Sequence, residues 1–361
     1  MGDWVDILDA LSHTGRKLLA TIVRVDGSAY RKEGAMMLLT ENRKRYGILS
    51  GGCLEDDLAE RAPGVWDEGV SQTVAYDLRS EDDLSWGQGI GCNGSVHVLM
   101  EPLNGKMTAH LRRLKRELEE GTDVLHVKRL SEQGGVADYL FLAGDKRWFG
   151  SWRGPVPKNP VQLLASNRKA VWIGAPGENL FVQRFEPQPR LLVFGAGPDA
   201  KPLVRIAAGA GFRVAVSDWR PALCSRDHFP EADELIVDSP DRVAAAYRFS
   251  ERDSVISMTH HFQKDRQIFE ALRSKPLRYF GILGSKDRAR RLAGDPIPNG
   301  LHCPAGLPIG AEGPEEIAIS LVADLIKAAR LRRVEDDLGD LLGGRAEPQN
   351  GTAKAVPAGR G

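Results

Sequence analysis

The chain has 361 residues, 42% of them hydrophobic and 27% charged, which is the balance of a globular protein long enough for two domains. Lys+Arg and Asp+Glu both number 49, so the formal net charge is zero and nothing global points to nucleic acid or an anionic membrane surface. The opening MGDWVDILDA carries acids where a secretory signal needs a basic end, no apolar run reaches the roughly 18 residues of a membrane span, and the four cysteines form no C-x-x-C pair of a zinc knuckle or dithiol centre. The expectation is a cytoplasmic protein with reduced thiols.

In chain order, the first half reads as short strands broken by glycine. Alternating or β-rich runs predict strands at Leu18–Val25, Ala35–Thr40, Gln72–Leu78 and Ser95–Pro102. Leu54, Leu58 and Ala62 share one face of a predicted helix that stops at Pro63. A second amphipathic helix is predicted over Met107–Glu119, followed by strands near Val124–Arg129 and Asp138–Leu142. Arg153–Pro160 is a proline-rich loop, and Glu186–Pro189 reads as a linker.

From Arg190 the pattern changes. LLVFGAG, FRVAVSD, ELIVDS, DSVISMT and LRYFGILG are buried strands separated by helical stretches, the pattern of a parallel α/β sheet. A last helix over Pro314–Arg333 has Glu315 and Glu316 in its first turn and Arg330, Arg332 and Arg333 in its last, matching the helix dipole. The segment 334–361 ends in GGRAEPQNGTAKAVPAGRG, which has little to bury, and is expected to be a disordered tail. The fold class expected is thus α/β: an N-terminal mixed α/β domain over 1–187 and a C-terminal Rossmann-like parallel sheet domain over 188–333.

Two glycine-rich turns stand out. GAGPDA, Gly195–Ala200, follows a strand and opens a helix, the context in which G-x-G-x-x-A reads as a nucleotide-binding turn. Gly195 and Gly197 would let a ligand approach the backbone, and Asp218, ending the next strand, stands where a ribose-binding acid is expected. Arg220 is close enough to hold an extra phosphate. His260, just past another strand end, is placed to line the same crevice, and Pro198 removes one N–H from the turn. The other turn, SGGCLEDD at Ser50–Asp57, runs Gly51 and Gly52 into Cys53 at a helix start. There the thiol is either at the lip of a binding site, beside free N–H groups, or a small buried group at a tight turn.

GSAYRKEGAMM, GILSGGCLE and GQGIGCNGSV in the first half, together with GAGPDA, SDWRP, THH, GILGSKDRARRL and PAGLPIGAEGPEEIAIS in the second, resemble the XdhC/CoxI family in order across both domains. The resemblance departs at Tyr30, Asn93 and Pro198, where many members have Pro, Gly and His. It implies an accessory protein for xanthine dehydrogenase and related molybdenum hydroxylases, a maturation chaperone more than a stand-alone enzyme. Such a protein binds molybdenum cofactor (molybdopterin), supports its sulfuration and hands it to the apo-enzyme. The implied partners are a cysteine desulfurase, a xanthine dehydrogenase-type apo-enzyme and a second copy in a homodimer, with no nucleic acid and no membrane.

On that resemblance, Gly51, Gly52, Cys53 and Cys92 become cofactor contacts, Cys53 a candidate ligand to the metal, and Arg31 a candidate phosphate partner. Soft thiolate suits a metal–sulfur centre. Glu55, Asp56 and Asp57 oppose a free thiolate at Cys53, whereas a bound metal would deprotonate it. Two readings from other classes stay open: an NAD(P)-dependent oxidoreductase using Gly195, Gly197 and Asp218 with His260 as acid/base, and a nucleotide-sensing regulatory protein.

Overall fold

A computed structural model describes residues 3–78, 94–144, 147–156, 169–175 and 178–342. Helix α1 (Asp3–Asp9) precedes β1 (Lys17–Gly27), β2 (Met36–Thr40), β3 (Arg45–Tyr46), α2 (Cys53–Glu68), β4 (Gln72–Asp77) and β5 (Gly94–Pro102). These strands form an antiparallel sheet in the order β3-β2-β1-β5-β4. The period of two along β1 sorts its residues. Leu18, Ala20 and Ile22 face Leu54, Leu58, Ala62 and Val65 of α2. Leu19 faces the opposite core with Ile7 and Leu8 of α1.

Helix α2 does not stop at Pro63 as the sequence predicts; it continues to Glu68. Proline removes one N–H from the helical ladder, but Ala62 and Val65, on either side of it, are both fully buried in the core under the sheet. Packing carries the helix past the missing bond.

Helix α3 (Gly105–Glu119) leads to a second antiparallel sheet. Its strands are β6 (Val124–Leu130), β7 (Val136–Ala143), β8 (Arg147–Ser151), β9 (Ala170–Ala175) and β10 (Glu178–Phe185), ordered β8-β7-β6-β10-β9. Asn104 caps α3 by accepting from the Met107 N–H at 2.8 Å. The apolar face of α3 (Met107, Leu111, Leu114, Leu118) joins α1, the first sheet and Phe141, Phe149 and Phe185 of the second in one core. Across the seam between the sheets, buried Lys128 donates to buried Glu101.

Glu186–Pro189 leads into the third sheet. Its elements are β11 (Arg190–Phe194), α4 (Ala200–Gly209), β12 (Arg213–Ser217), β13 (Glu234–Ile236), α5 (Pro240–Ala246), β14 (Asp253–Ser257), α6 (Phe262–Leu272), β15 (Tyr279–Ile282), α7 (Lys286–Ala293), β16 (Leu301–His302) and α8 (Gly313–Leu342). All its pairings are parallel, and the order β13-β12-β11-β14-β15-β16 is the dinucleotide-fold order 3-2-1-4-5-6. Leu191, Val193, Val214, Val216 and Ile256 meet α4 and α8 on one face. Leu192, Phe194, Ala215, Val255 and Ile282 meet α5, α6 and α7 on the other. The expected α/β class, a mixed first half and a Rossmann-like second, is what the chain forms.

The last helix runs past Arg333 to Leu342, so residues 334–342 are helical where the sequence predicts a tail; Val334, Leu338 and Leu341 repeat at helical spacing. Residues 343–361 lie outside the described part. Among the described residues no helix is long and apolar enough to cross a membrane.

Candidate functional site

Three glycine-bearing segments are brought to one end of the first sheet by strand register. Thr21 pairs with Met36, Gly27 with Gly94 and Asp77 with Ser95. The 28–35 connection, the 47–52 turn and the strand ends flanking 79–93 therefore share one edge. A Cβ on Gly94 would stand 2.5 Å from the Asp26 carbonyl oxygen and 2.8 Å from the Ser28 nitrogen, so only glycine allows that approach.

The start of α2 is more self-contained than the sequence suggests. Gly52 has φ 130°, a conformation that favours glycine, and a Cβ at Gly51 or Gly52 would meet nothing within 4 Å among the described residues. The Gly52 and Leu54 N–H groups both donate to Ser50 Oγ, at 3.1 and 3.3 Å. Glu55 folds back and accepts from the Leu49 and Ser50 N–H groups at 2.9 and 2.7 Å and from the Ser50 hydroxyl. Burial pushes the Glu55 carboxyl up, but these bonds outweigh it and hold it below the usual carboxylate range. Two of the donors expected to be free for a ligand are thus already used.

The expected electrostatic opposition to Cys53 is also weakened. Asp56 accepts from Arg45 at 2.6 Å, and Asp57 from Arg61 at 2.5 Å and from the Tyr76 hydroxyl at 2.6 Å. Their charges are compensated locally. The backbone of Cys53 opens α2; its side chain, and Cys92 altogether, lie outside the described residues. Among the described residues no group of three or more His, Cys, Asp or Glu side chains is arranged to hold a metal.

Arg31 lines a cavity of about 740 Å³ between the two halves of the chain. Its walls include Tyr30–Met36, Gln183 and Arg184, and Pro189, Gly211, Arg252 and Arg278 from the amino ends of the parallel strands. Arg252 spans the two halves with a two-pronged bond to Asp123, at 2.8 and 2.6 Å.

Gly195, Gly197, Asp218 and His260 meet at the opposite, carboxyl end of the parallel sheet. Gly195 has φ 110°, and a Cβ there would lie 2.6 Å from the Met258 carbonyl oxygen. The Ala196 N–H in the turn donates to Asp218 Oδ2 at 2.8 Å. Asp218 also accepts from the Arg220 N–H at 2.9 Å, from Arg220 Nε at 2.9 Å and from Nη2 at 2.8 Å. Burial pushes this carboxyl up, but the bonds from Arg220 and Ala196 hold it below the usual range. The residue expected to take a ribose hydroxyl is therefore occupied by the chain itself.

His260, in the left-handed region at φ 57°, pairs through Nε2 with Asp199 Oδ2 at 2.7 Å. Beneath it, buried Asp265 gathers Ser257 Oγ at 2.7 Å, Thr259 Oγ1 at 2.6 Å and Arg288 Nη2 at 2.5 Å. Trp219 forms one wall, with Arg220 Cζ 4.6 Å and Lys264 Nζ 5.4 Å from its ring centre. Sequence places Asp265 and the basic helix start at 284–292 past neighbouring strand ends but not the Asp265–Arg288 pairing, and it misses Asp199, Trp219 and Lys264. Only position at a strand or helix end could have flagged them.

The predicted site residues thus fall into two groups that do not meet within one chain. Arg31, Gly51, Gly52 and the Cys53 backbone belong to one end of the first sheet. Gly195, Gly197, Asp218 and His260 lie across the parallel sheet from Arg31's cavity, about 16 Å away for five-residue strands.

Two antiparallel sheets ahead of a Rossmann-like domain, with glycine turns at one end of the first sheet and at the carboxyl end of the parallel one, define a two-part α/β protein. The family described as XdhC and CoxI matches residues 11–77, the BH1974-like central domain residues 105–186, and the XdhC Rossmann domain residues 191–325. A probable xanthine dehydrogenase subunit from Bacillus subtilis (strain 168) is 42% identical over 334 residues, covering 91% of this chain and 98% of its own. The chain belongs to the XdhC/CoxI family. A solved structure from Bacillus halodurans, described as a xanthine dehydrogenase, is 47% identical with a TM-score of 0.83 over 92% of this chain and 97% of that one. The molybdenum cofactor insertion chaperone PaoD of Escherichia coli (strain K12) is 23% identical over 337 residues, 91% of this chain and 88% of its own.

Proposed function

We propose that this protein is a maturation chaperone that carries molybdenum cofactor, supports its sulfuration with a cysteine desulfurase and delivers it to a xanthine dehydrogenase-type apo-enzyme in the cytoplasm, acting as a homodimer. The observation that carries the reading is the match over nearly the whole chain to relatives named as part of a xanthine dehydrogenase and as a cofactor insertion chaperone. The gathering of three glycine-bearing segments at one end of the first sheet supports it. The cargo is a flat pterin with a dithiolene, a phosphate and a metal. Among the described residues nothing stands within 4 Å of a Cβ at Gly51 or Gly52, which suits close approach of a flat ring; Arg31, on the connection at the same sheet end, is a cation for the phosphate, and a thiolate at Cys53 is a soft donor for a metal–sulfur centre. Cys92 lies in sequence between the β4 and β5 strand ends at that side of the sheet.

The test is to oxidise and denature the purified protein and look for a fluorescent pterin, then to compare Cys53→Ser with the parent in activating a co-produced apo-enzyme. Pterin in the parent, with activation lost in Cys53→Ser at unchanged folding, supports the reading. Absence of pterin together with hydride transfer from a nicotinamide cofactor would favour an NAD(P)-dependent oxidoreductase instead. The strand order of the third sheet and the His260–Asp199 pair favour that second reading; the engaged carboxylate of Asp218 weighs against its form with a free ribose diol.

A further inference from the structure

We propose that the crevice at the carboxyl end of the parallel sheet takes a nucleotide whose ribose carries a phosphate, in preference to one with a free 2′,3′-diol. The proposal rests on the reading that this Rossmann domain binds a nucleotide, and narrows it to one chemical class.

A ribose diol needs an acceptor, and Asp218 is no longer one. An ionised carboxylate has about four lone-pair positions. Here four donors fill them: the Ala196 N–H, the Arg220 N–H, and Arg220 Nε and Nη2. The Asp218 side chain is fully buried beneath this set. A sugar hydroxyl could reach it only by displacing Arg220 and leaving charged groups without partners, which is costly.

The same arrangement turns a cationic edge outward. Arg220 uses Nε and Nη2 on Asp218, which leaves Nη1 without a hydrogen bond among the described residues, and its side chain is 42% exposed. Lys264, half-buried on α6, approaches the same indole and has no ion-pair partner among the described residues. Two cationic side chains over one half-exposed ring suit a phosphate, with the ring left for a base or sugar face.

The glycine turn does not supply a stronger anion site nearby. Gly195 N–H donates to the Ser217 carbonyl at 2.8 Å and Ala200 N–H to the Gly197 carbonyl at 3.1 Å. Ala196 N–H is held by Asp218, and Pro198 has none. Asp199 adds a carboxylate at the head of α4, partnered by His260. Of the turn's N–H groups, those of Gly197 and Asp199 have no bond among the described residues, and the Asp199 carboxylate stands close to Gly197; a diphosphate would find two backbone donors beside an acid there, against the two side-chain cations Arg220 and Lys264.

The experiment is calorimetric titration of the full chain with 2′,5′-ADP, 5′-AMP and inorganic phosphate, repeated with Lys264→Gln. Lys264 lies on the surface of α6, outside the buried network, so this variant tests charge without removing a core contact. We expect 2′,5′-ADP to bind at least tenfold more tightly than 5′-AMP or phosphate. Lys264→Gln should weaken 2′,5′-ADP about three- to tenfold and leave 5′-AMP unchanged. Equal affinity for 2′,5′-ADP and 5′-AMP would overturn the preference while leaving nucleotide binding intact. Phosphate binding as tightly as 2′,5′-ADP would show a simple anion site and overturn the nucleotide. No binding of either nucleotide at millimolar concentration would overturn both the proposal and the reading beneath it.

Discussion

Lys128 and Glu101 meet across the seam between the two antiparallel sheets, with 1% and 5% of their side chains exposed. Lys128 reaches from β6 to β5, so the pair ties the second sheet to the first inside the apolar core. Removing one partner leaves a buried charge without compensation, at about 3–5 kcal/mol, whereas replacing both by apolar residues is often neutral. Lys128→Met alone should therefore lower the urea midpoint of the N-terminal half sharply, and Lys128→Met with Glu101→Leu should recover most of the loss. Equal midpoints for the single and double variants would show that the pair's charge is not what is costly to break.

Asp218 has a structural role whatever the crevice binds. Asp218→Ala leaves the Ala196 N–H without its acceptor and releases the Arg220 guanidinium, for a cost of about 1–3 kcal/mol. A thermal melt of the ligand-free protein should register this loss. A variant melting at the parent's temperature would mean that the turn is held by its glycines alone.

His126 gives the fold a sensitivity to acid. It lies buried and stacked on Phe141, with ring centres 3.9 Å apart, and its Nε2 has no partner among the described residues. Burial, then the positive charges of Lys128 and His110, push it well below its ordinary value. The folded state keeps the ring neutral, while the unfolded chain protonates it near pH 6.5. Stability contributed by the neutral ring is therefore full above about pH 6.5 and falls as the pH drops towards the folded-state value, by up to about 1.4 kcal/mol per unit. His126→Leu should flatten the unfolding free energy between pH 6.5 and 5 by up to one proton's slope. An unchanged slope would assign the acid sensitivity to other histidines.

The cysteines should separate in labelling. Cys224 is 5% exposed, its Sγ lies 3.5 Å from the Val216 carbonyl oxygen, and burial pushes its thiol up. Cys303 is half-buried at the rim of the crevice, and burial raises it as well. Since thiolate and access together set the rate, iodoacetamide at neutral pH should modify Cys303 well before Cys224. The reverse order, followed by peptide mass, would show that the core around Cys224 opens more readily than its packing implies.

Much of the fold can be read from residue pattern. Leu18, Ala20 and Ile22 set the period of β1, and the GAG turn after a buried strand announces the third sheet. Strands β8, β9 and β10 escape the sequence reading, although Leu180 and Val182 alternate with Phe181 and Gln183 in the last of them. Both faces of β10 are buried there, so apolar residues appear on consecutive positions and the period blurs. Pro63 misleads for the opposite reason: local chemistry argues for a stop, and tertiary packing overrides it.

The site is legible as residue types and not as pairings. Asp218 can be picked out from its place after β12, but whether Arg220 folds back onto it or reaches outward depends on the rotamer. Asp199 and His260 stand 61 positions apart, and only the closure of the parallel sheet brings them together. At the start of α2, the sequence offers a helix end with free donors; Ser50 Oγ takes two of them, and Glu55 takes the two N–H groups just ahead, through bonds that spacing alone does not reveal.

The linker Glu186–Pro189 has a mechanical consequence. It forms part of the wall of the interdomain cavity, and the Arg252–Asp123 clamp bridges the same two halves. The five-residue strands beyond it are hydrogen-bonded in register to neighbours on both sides, so they do not slide singly. A force passed through the linker therefore enters β11 in the interior of the sheet and is shared with β12 and β14 rather than borne by one strand.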